Sequence, residues 1–375
     1  MSLFIRRTTA ASLLILSAGV GVSVQAGAAS ASPRSQTSTA ASVTAAQAGA
    51  GWLGRQFKGH AFIGSKRKPN PSSTAEAVLA LAAAGVGGTT ATAAIGWLEG
   101  NFESYVSPGG VDDAGALATV ILAAQAMGVA PTTFGGHQPA NNLVARLEAS
   151  QRTTGSDAGL FGSSDPSFDG AFRQGLSLMA LANQGISNSI TAAGVSWLQN
   201  QQCSDGGWTS YRSATGPGNP CPAPDPATFS GPDTNSTALA VEGLVASGAT
   251  FSVSPTSFFV SSQNADGGFG FIGASSQSPD PDSTGEVIQA LVALGQLGNS
   301  KFTQSGGATP LSALETFQLG CKASSARRGA FVFPDVKGPN LLATLQAVPG
   351  EAEVAFPLTA QTLSPGLPKL KCPAH

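Results

Sequence analysis

Charge is what this chain has least of. Lys, Arg, Asp and Glu make up 11% of its 375 residues, and the formal net charge is −2. Soluble chains usually carry about a quarter. The balance excludes a basic face for nucleic acid and a polybasic patch for anionic lipid. Rings are scarce as well: two tyrosines and four tryptophans leave little for stacking on sugars. The three histidines, His60, His137 and His375, are widely spaced, and no Cys-x-x-Cys occurs. No zinc or other metal site is therefore expected, and no cofactor. Ala, Gly, Ser and Thr fill the gap, which suits closely packed elements.

A membrane span is also missing. The one long apolar stretch, ASLLILSAGVGVSV (11–24), is too short and too glycine-rich to cross a bilayer. It follows Arg6 and Arg7 and precedes small residues with cleavage points near Ala28 or Ala31, the layout of a signal peptide. We expect a signal at 1–31, a linker at 32–42 and a secreted product. The paired arginines leave twin-arginine export open, although the TTAAS that follows fits that pattern poorly. The four cysteines all lie in the exported part, where an even count reads as two disulfides. Three pairings are formally possible. Cys203–Cys221, closing an insertion, and Cys321–Cys372, tying back the tail, are the favoured ones.

What the chain does have is a repeat with a period near 50 residues. TAAQAGAGWL (44–53), TTATAAIGWL (89–98) and ITAAGVSWL (190–198) align, with NNLVARLEASQ (141–151), SFFVSSQ (257–263) and ALETFQ (313–318) as weaker copies. Each is followed by an Ala/Leu-rich segment: 73–85, 112–128, 171–185, 236–248, 283–295 and 338–350. Apolar residues there recur at helical spacing, as in Val287, Leu291 and Leu294. Starts carry Ser, Thr or Asp, and five of the six segments end on a C-capping glycine. Ser73-x-x-Glu76 and Ser283-x-x-Glu286 read as capping boxes. Six hairpins must stack to bury their faces. An open solenoid is possible; a closed (α/α)6 ring over 43–350, with the second helices inside and a Pro-rich tail at 351–375, is preferred.

Two punctuation marks sharpen this. Gln202–Asp205–Gly206–Gly207–Trp208 and Gln263–Asp266–Gly267–Gly268–Phe269 follow the first helices of two units, with weaker copies after Gln151 and Gln318. An aromatic-Leu, Gln, Asp-Gly-Gly-aromatic unit of this kind resembles the repeat of the prenyltransferase and squalene (terpenoid) cyclase toroids. The resemblance implies an all-α toroid in which these loops are structural staples. The catalytic signatures of that family are not matched. GGVDDAG and PDPDSTG each depart from the Asp-x-Asp-Asp acid, at Gly110 and Ser283. No Asp-rich magnesium run and no Asp, Cys and His zinc set is found.

Asp112, Asp113, Asp233, Asp280 and Asp282 all precede or open second helices, so they serve as N-caps or form a polar mouth at one rim. Arg173 and Gln174 stand where other units carry Ser-Thr, facing the same mouth. Asn235-Ser-Thr reads as a helix cap. With Asp112, Asp113, Arg173, Asp233, Asp280 and Asp282 as ligand-binding candidates, the reading is a non-catalytic toroid. It would hold a small apolar or amphipathic ligand, with neither nucleic acid nor membrane as partner. The alternative is a divergent cyclase or prenyltransferase-like enzyme; a polysaccharide-acting barrel or an adhesion scaffold has less support.

Overall fold

The computed structural model describes residues 43–62, 68–162, 170–182, 184–186, 188–210, 221–228, 230–275 and 277–373. The expected signal (1–31) and linker (32–42) lie outside the described residues. Six helices form an outer set: α1 (Ala45–Gly54), α3 (Gly88–Glu99), α6 (Leu143–Ala149), α8 (Asn188–Asn200), α10 (Pro255–Ser262) and α12 (Pro310–Thr316). Six more alternate with them: α2 (Pro71–Ala83), α5 (Ala114–Ala126), α7 (Ala171–Leu181), α9 (Thr234–Ala246), α11 (Pro281–Ala293) and α13 (Leu341–Glu351). These second helices pack in the order α2, α5, α7, α9, α11, α13 and back to α2. The fold is an all-α (α/α)6 toroid with a closed inner ring. A short α4 (Glu103–Val106), four single-turn 3-10 helices and two two-stranded ribbons complete the elements among the described residues.

Five of the six inner helices start where an Asn or Asp accepts a hydrogen bond from an amide three residues on, and α7 starts at Gly170 without a side-chain cap. The caps are Asn70, Asp113, Asp233, Asp280 and Asn340, at 2.7–3.2 Å. This corrects the two capping boxes. Asn70 and Asp280 are the caps, each followed by a proline at the first helical position, so Ser73 and Ser283 lie inside the first turn. Likewise Asp233, not Asn235, caps α9, and Asn235 is buried in its first turn. Proline sets φ for a helix start without losing a needed donor, which moves both starts three residues earlier.

Inner helices pack backbone to backbone at two points. Gly175 of α7 meets Gly243 of α9, and Gly285 of α11 meets Gly350 of α13. A side chain at any of the four would run into its partner's main chain.

The Gln and Asp-Gly-Gly loops are staples around the rim of the toroid. The Gln202 side chain donates to Gly206 O and Val253 O, and accepts from Val253 N. Gln263 donates to Gly267 O and Phe302 O, Gln151 to Gly159 O and Ile190 O. Gln318 donates to Gly329 O and to Ala45 O, joining the last unit to the first. Asp205 and Asp266 each accept from the amide two residues on, at 2.9 and 3.0 Å. Gly206 and Gly267 take φ of +97° and +91°, a left-handed turn that bulkier residues resist. The aromatic that follows is buried, and its amide donates to the residue four past the next helix cap. That residue is Thr237 for Trp208, Thr284 for Phe269, Thr344 for Phe331 and Gln174 for Phe161. Gln174 is thus a staple residue, buried between units, and not part of the mouth. Its longer side chain also reaches Gly159 O and Gly194 O, which a threonine could not.

The tail is a strap. Phe356 N donates to Glu242 of α9, Gln361 N to Ala126 O at the end of α5, and Ser364 N to Gly85 O after α2. Pro368 O accepts from Arg55, and Cys321–Cys372 anchors the end. The second disulfide is Cys203–Cys221. No helix among the described residues is long and apolar enough to cross a membrane.

Candidate functional site

The shared cap register dictates what the barrel centre contains. The sixth residue after each cap points inward: Glu76, Thr119, Leu176, Leu239, Glu286 and Gln346, going round from α2 to α13. All six line one cavity of about 310 Å³. This belt divides in two. α7 and α9 offer leucines, while α11, α13 and α2 offer Glu286, Gln346 and Glu76 side by side. One turn deeper, Leu79, Leu122, Gln289 and Pro349 continue the lining, and Phe356 of the strap meets it from the tail side. At the end near the helix N-termini stand Phe172, Leu342, Asp113 and Arg173. Tyr105 of α4 adds a hydroxyl near Ser72 and Thr119. The wall is mostly apolar, as a small-molecule pocket requires.

Burial controls the charges. The Glu286 carboxyl is pushed up to about 8 by desolvation, then by the neighbouring Glu76. Glu76 is raised by desolvation against a hydrogen bond from Ser72, 2.9 Å away. Behind the wall, Glu242 and Asp282 are held well above the carboxylate range by desolvation, then by like charges that include Glu286. Tyr105 is pushed up to about 12 by burial and then by Glu76. Glu286 therefore faces the cavity as a carboxylic acid rather than a carboxylate at neutral pH. Among the cavity-lining residues Arg173 is the one cation, and it pairs with Asp113 at 2.9 Å.

The structure places the sequence-derived candidates unevenly. Asp113 and Arg173 line the cavity together. Asp233 and Asp280 are buried caps, each pushed up to about 6 by desolvation, and bond to Ser210 and Ser236 or to Ser283. Asp282 is buried beside Glu286, with Oδ1 unpartnered. Asp112 turns outward to Arg146, which also binds Glu103. His60 and His137 are exposed. Among the described residues no three His, Cys, Asp or Glu side chains converge as a metal site would require.

Sequence reasoning missed Glu76, Glu242, Glu286 and Gln289. The signal was present: α2, α9 and α11 each carry a glutamate in mid-helix on an Ala/Leu segment whose only other charge is Asp282, in the first turn of α11. Ring-forming residues were also misplaced. Beyond Phe172, the cavity takes its aromatics from α4 (Tyr105) and the strap (Phe356), neither of which belongs to the repeat.

No family model matches the sequence, and no curated protein is similar to it. Solved structures are. The type II terpene cyclase MstE from Scytonema superposes with a TM-score of 0.53 at 13% identity, over 82% of this chain and 96% of that one. The ent-copalyl diphosphate synthase from Streptomyces platensis gives 0.45 at 17% identity, over 75% of this chain; the chain spans about half (49%) of that synthase. The protein geranylgeranyltransferase-I of Candida albicans gives 0.46 at 10% identity, over 73% of this chain and 82% of that one. Likeness to MstE at such low identity shows the toroid, and the toroid alone.

Proposed function

We propose that the barrel centre is a non-catalytic binding cavity for a small, largely apolar molecule, in a protein that is exported. The observation that carries this is the half-leucine, half-carboxyl belt around a cavity of about 310 Å³, within the range of ligand pockets. An apolar body would lie on Leu176 and Leu239, and a polar group would meet Glu76, Gln346 and Glu286. A variant of MstE has been solved in complex with geranylgeranyl dihydroxybenzoate as its substrate, which supports an apolar chain with a polar head as the kind of ligand. Export is supported by the leader-like 1–31 segment and by two disulfides.

Catalysis by proton donation is the second reading, favoured by one observation: Glu286 faces the cavity in its neutral form. The cause of that neutrality counts against it. Desolvation and Glu76 raise the carboxyl from 4.5 to about 8, which makes it a weaker acid. At about 1.4 kcal/mol per pKa unit, handing over the proton becomes roughly 4–5 kcal/mol harder than for an ordinary carboxyl. An acid that attacks an alkene or epoxide needs the opposite tuning.

Native mass spectrometry of the exported, disulfide-bonded protein tests the binding reading. The expected result is a one-to-one adduct with a small apolar molecule, lost in Leu176→Trp, where the indole fills the belt. An adduct undiminished in that variant would place the ligand elsewhere. Isoprenoid turnover abolished by Glu286→Gln would favour the second reading instead. N-terminal sequencing of the exported chain checks the leader, with the first residue expected near 29 or 32.

A further inference from the structure

Among the described residues Glu76 and Glu286 of the belt have no salt-bridge partner. Glu76 and Glu286 flank Gln346 on adjacent inner helices, and Glu242 and Asp282 stand behind them. Glu242 Oε1, Asp282 Oδ1, Gln289 Oε1 and Gln346 Oε1 are buried without a hydrogen-bond partner. Gln289 is 1% exposed and is one of the lining residues, so an amide oxygen that should be satisfied sits unpartnered in the cavity wall. Arg173 lies at the far end of the lining and is engaged with Asp113. Burying several carboxyls with neither a cation nor a full set of donors is unfavourable, and such groups concentrate at functional sites. What the centre lacks is a compact cation carrying several N–H donors.

We propose that the cavity takes an aliphatic amine, its alkyl chain against Leu176 and Leu239 and its ammonium seated between Glu76 and Glu286. This rests on the binding reading above and adds the chemistry of the head group. An ammonium supplies three donors, enough for Glu76, Glu286 and the Gln346 amide oxygen. Tyr105 and Phe172 line the same cavity, and aromatic rings beside a cation suit it further. A carboxylate or phosphate head fits less well, because among the lining residues it would meet Glu76, Glu286 and Asp113 with Arg173 as the sole opposite charge. As the ammonium seats, Glu286 becomes a carboxylate and its proton passes to solvent. The groups that face Glu286 from the elements around it are Glu76, Tyr105, Asp113, Arg173, Glu242 and Asp282, and all but Arg173 are acids.

The test is calorimetric titration of the exported protein with 1-decylamine, 1-decanol and decanoate, each below its aggregation concentration, at neutral pH. The amine should bind at least about tenfold more tightly than the alcohol, and decanoate most weakly. Titrations in buffers of different ionisation enthalpy should show about one proton released per amine bound. In Glu76→Gln/Glu286→Gln, whose isosteric side chains leave the packing in place, the amine should fall to within about threefold of the alcohol. Alcohol binding should persist there, showing that the variant is folded. Equal affinities for amine and alcohol in the wild type would overturn the ammonium assignment and leave the binding reading standing. Failure of all three to bind would overturn both.

Discussion

Acids stand both at the rim of this toroid and at its centre, and they do opposite things. At the rim, Asp205 and Asp266 accept from the amides of their own Asp-Gly-Gly turns, and the adjoining Gln202 and Gln263 clamp the next unit. At the centre, Glu286 and Glu76 face a cavity, and their neighbours Glu242 and Asp282 keep oxygens without partners. An acid with a local donor is part of the frame. An acid buried without one weakens the fold and is kept for what it meets. Neutralising a rim acid should therefore destabilise the protein, and neutralising a central one should stabilise it.

The largest effect is expected at the centre, and it depends on pH. Glu286 has a folded pKa of about 8 against 4.5 unfolded, so between those values the folded state holds the extra proton. Stability then falls as pH rises through that window and levels off above it, by roughly 4–5 kcal/mol at most from this group. Glu351, pushed up to about 8 chiefly by burial, acts in the same direction. Chemical denaturation at several pH values should show a maximum on the acid side, and Glu286→Gln should flatten the curve and raise stability at alkaline pH. A wild type that is most stable above pH 8 contradicts the description of the centre.

At the rim the sign reverses, and the Gln263 and Thr284 contacts involve no titrating group. Gln263→Ala removes donors from the Gly267 and Phe302 carbonyls, leaving buried acceptors empty at a cost of about 2–3 kcal/mol. Thr284→Val orphans the buried Phe269 amide and should cost about 1–2 kcal/mol. Asp266→Ala loses one turn hydrogen bond, worth about 1 kcal/mol. Urea midpoints at a fixed m-value measure all three, and rim losses that vary with pH as the central effect does would erase the distinction.

The contrast also explains what could be read without coordinates. The rim was legible because it is punctuation: Gln, Asp, two glycines and a ring recur, and each copy performs one backbone task. The ring closure followed from the count of units and from the cysteine that ties the tail. The centre was hidden by a register error of three residues. Ser73 and Ser283 with Glu76 and Glu286 fit the capping-box pattern, which places the glutamates at a solvated helix start. Asn70-Pro71 and Asp280-Pro281 supply better starts, and counting six from those caps puts both glutamates inside the ring. Gln174 was misassigned because it does a threonine's work with a longer side chain. Tyr105 and Phe356 come from segments outside the repeat, where periodicity has nothing to say.

The central claim is that the inward belt at the sixth position after the caps is where this protein meets its ligand. Titration of wild type and Leu176→Trp with the same decyl amphiphile, monitored by calorimetry, tests it most directly. The account predicts saturable one-to-one binding to the wild type and none to the folded variant. Equal binding to both would contradict it.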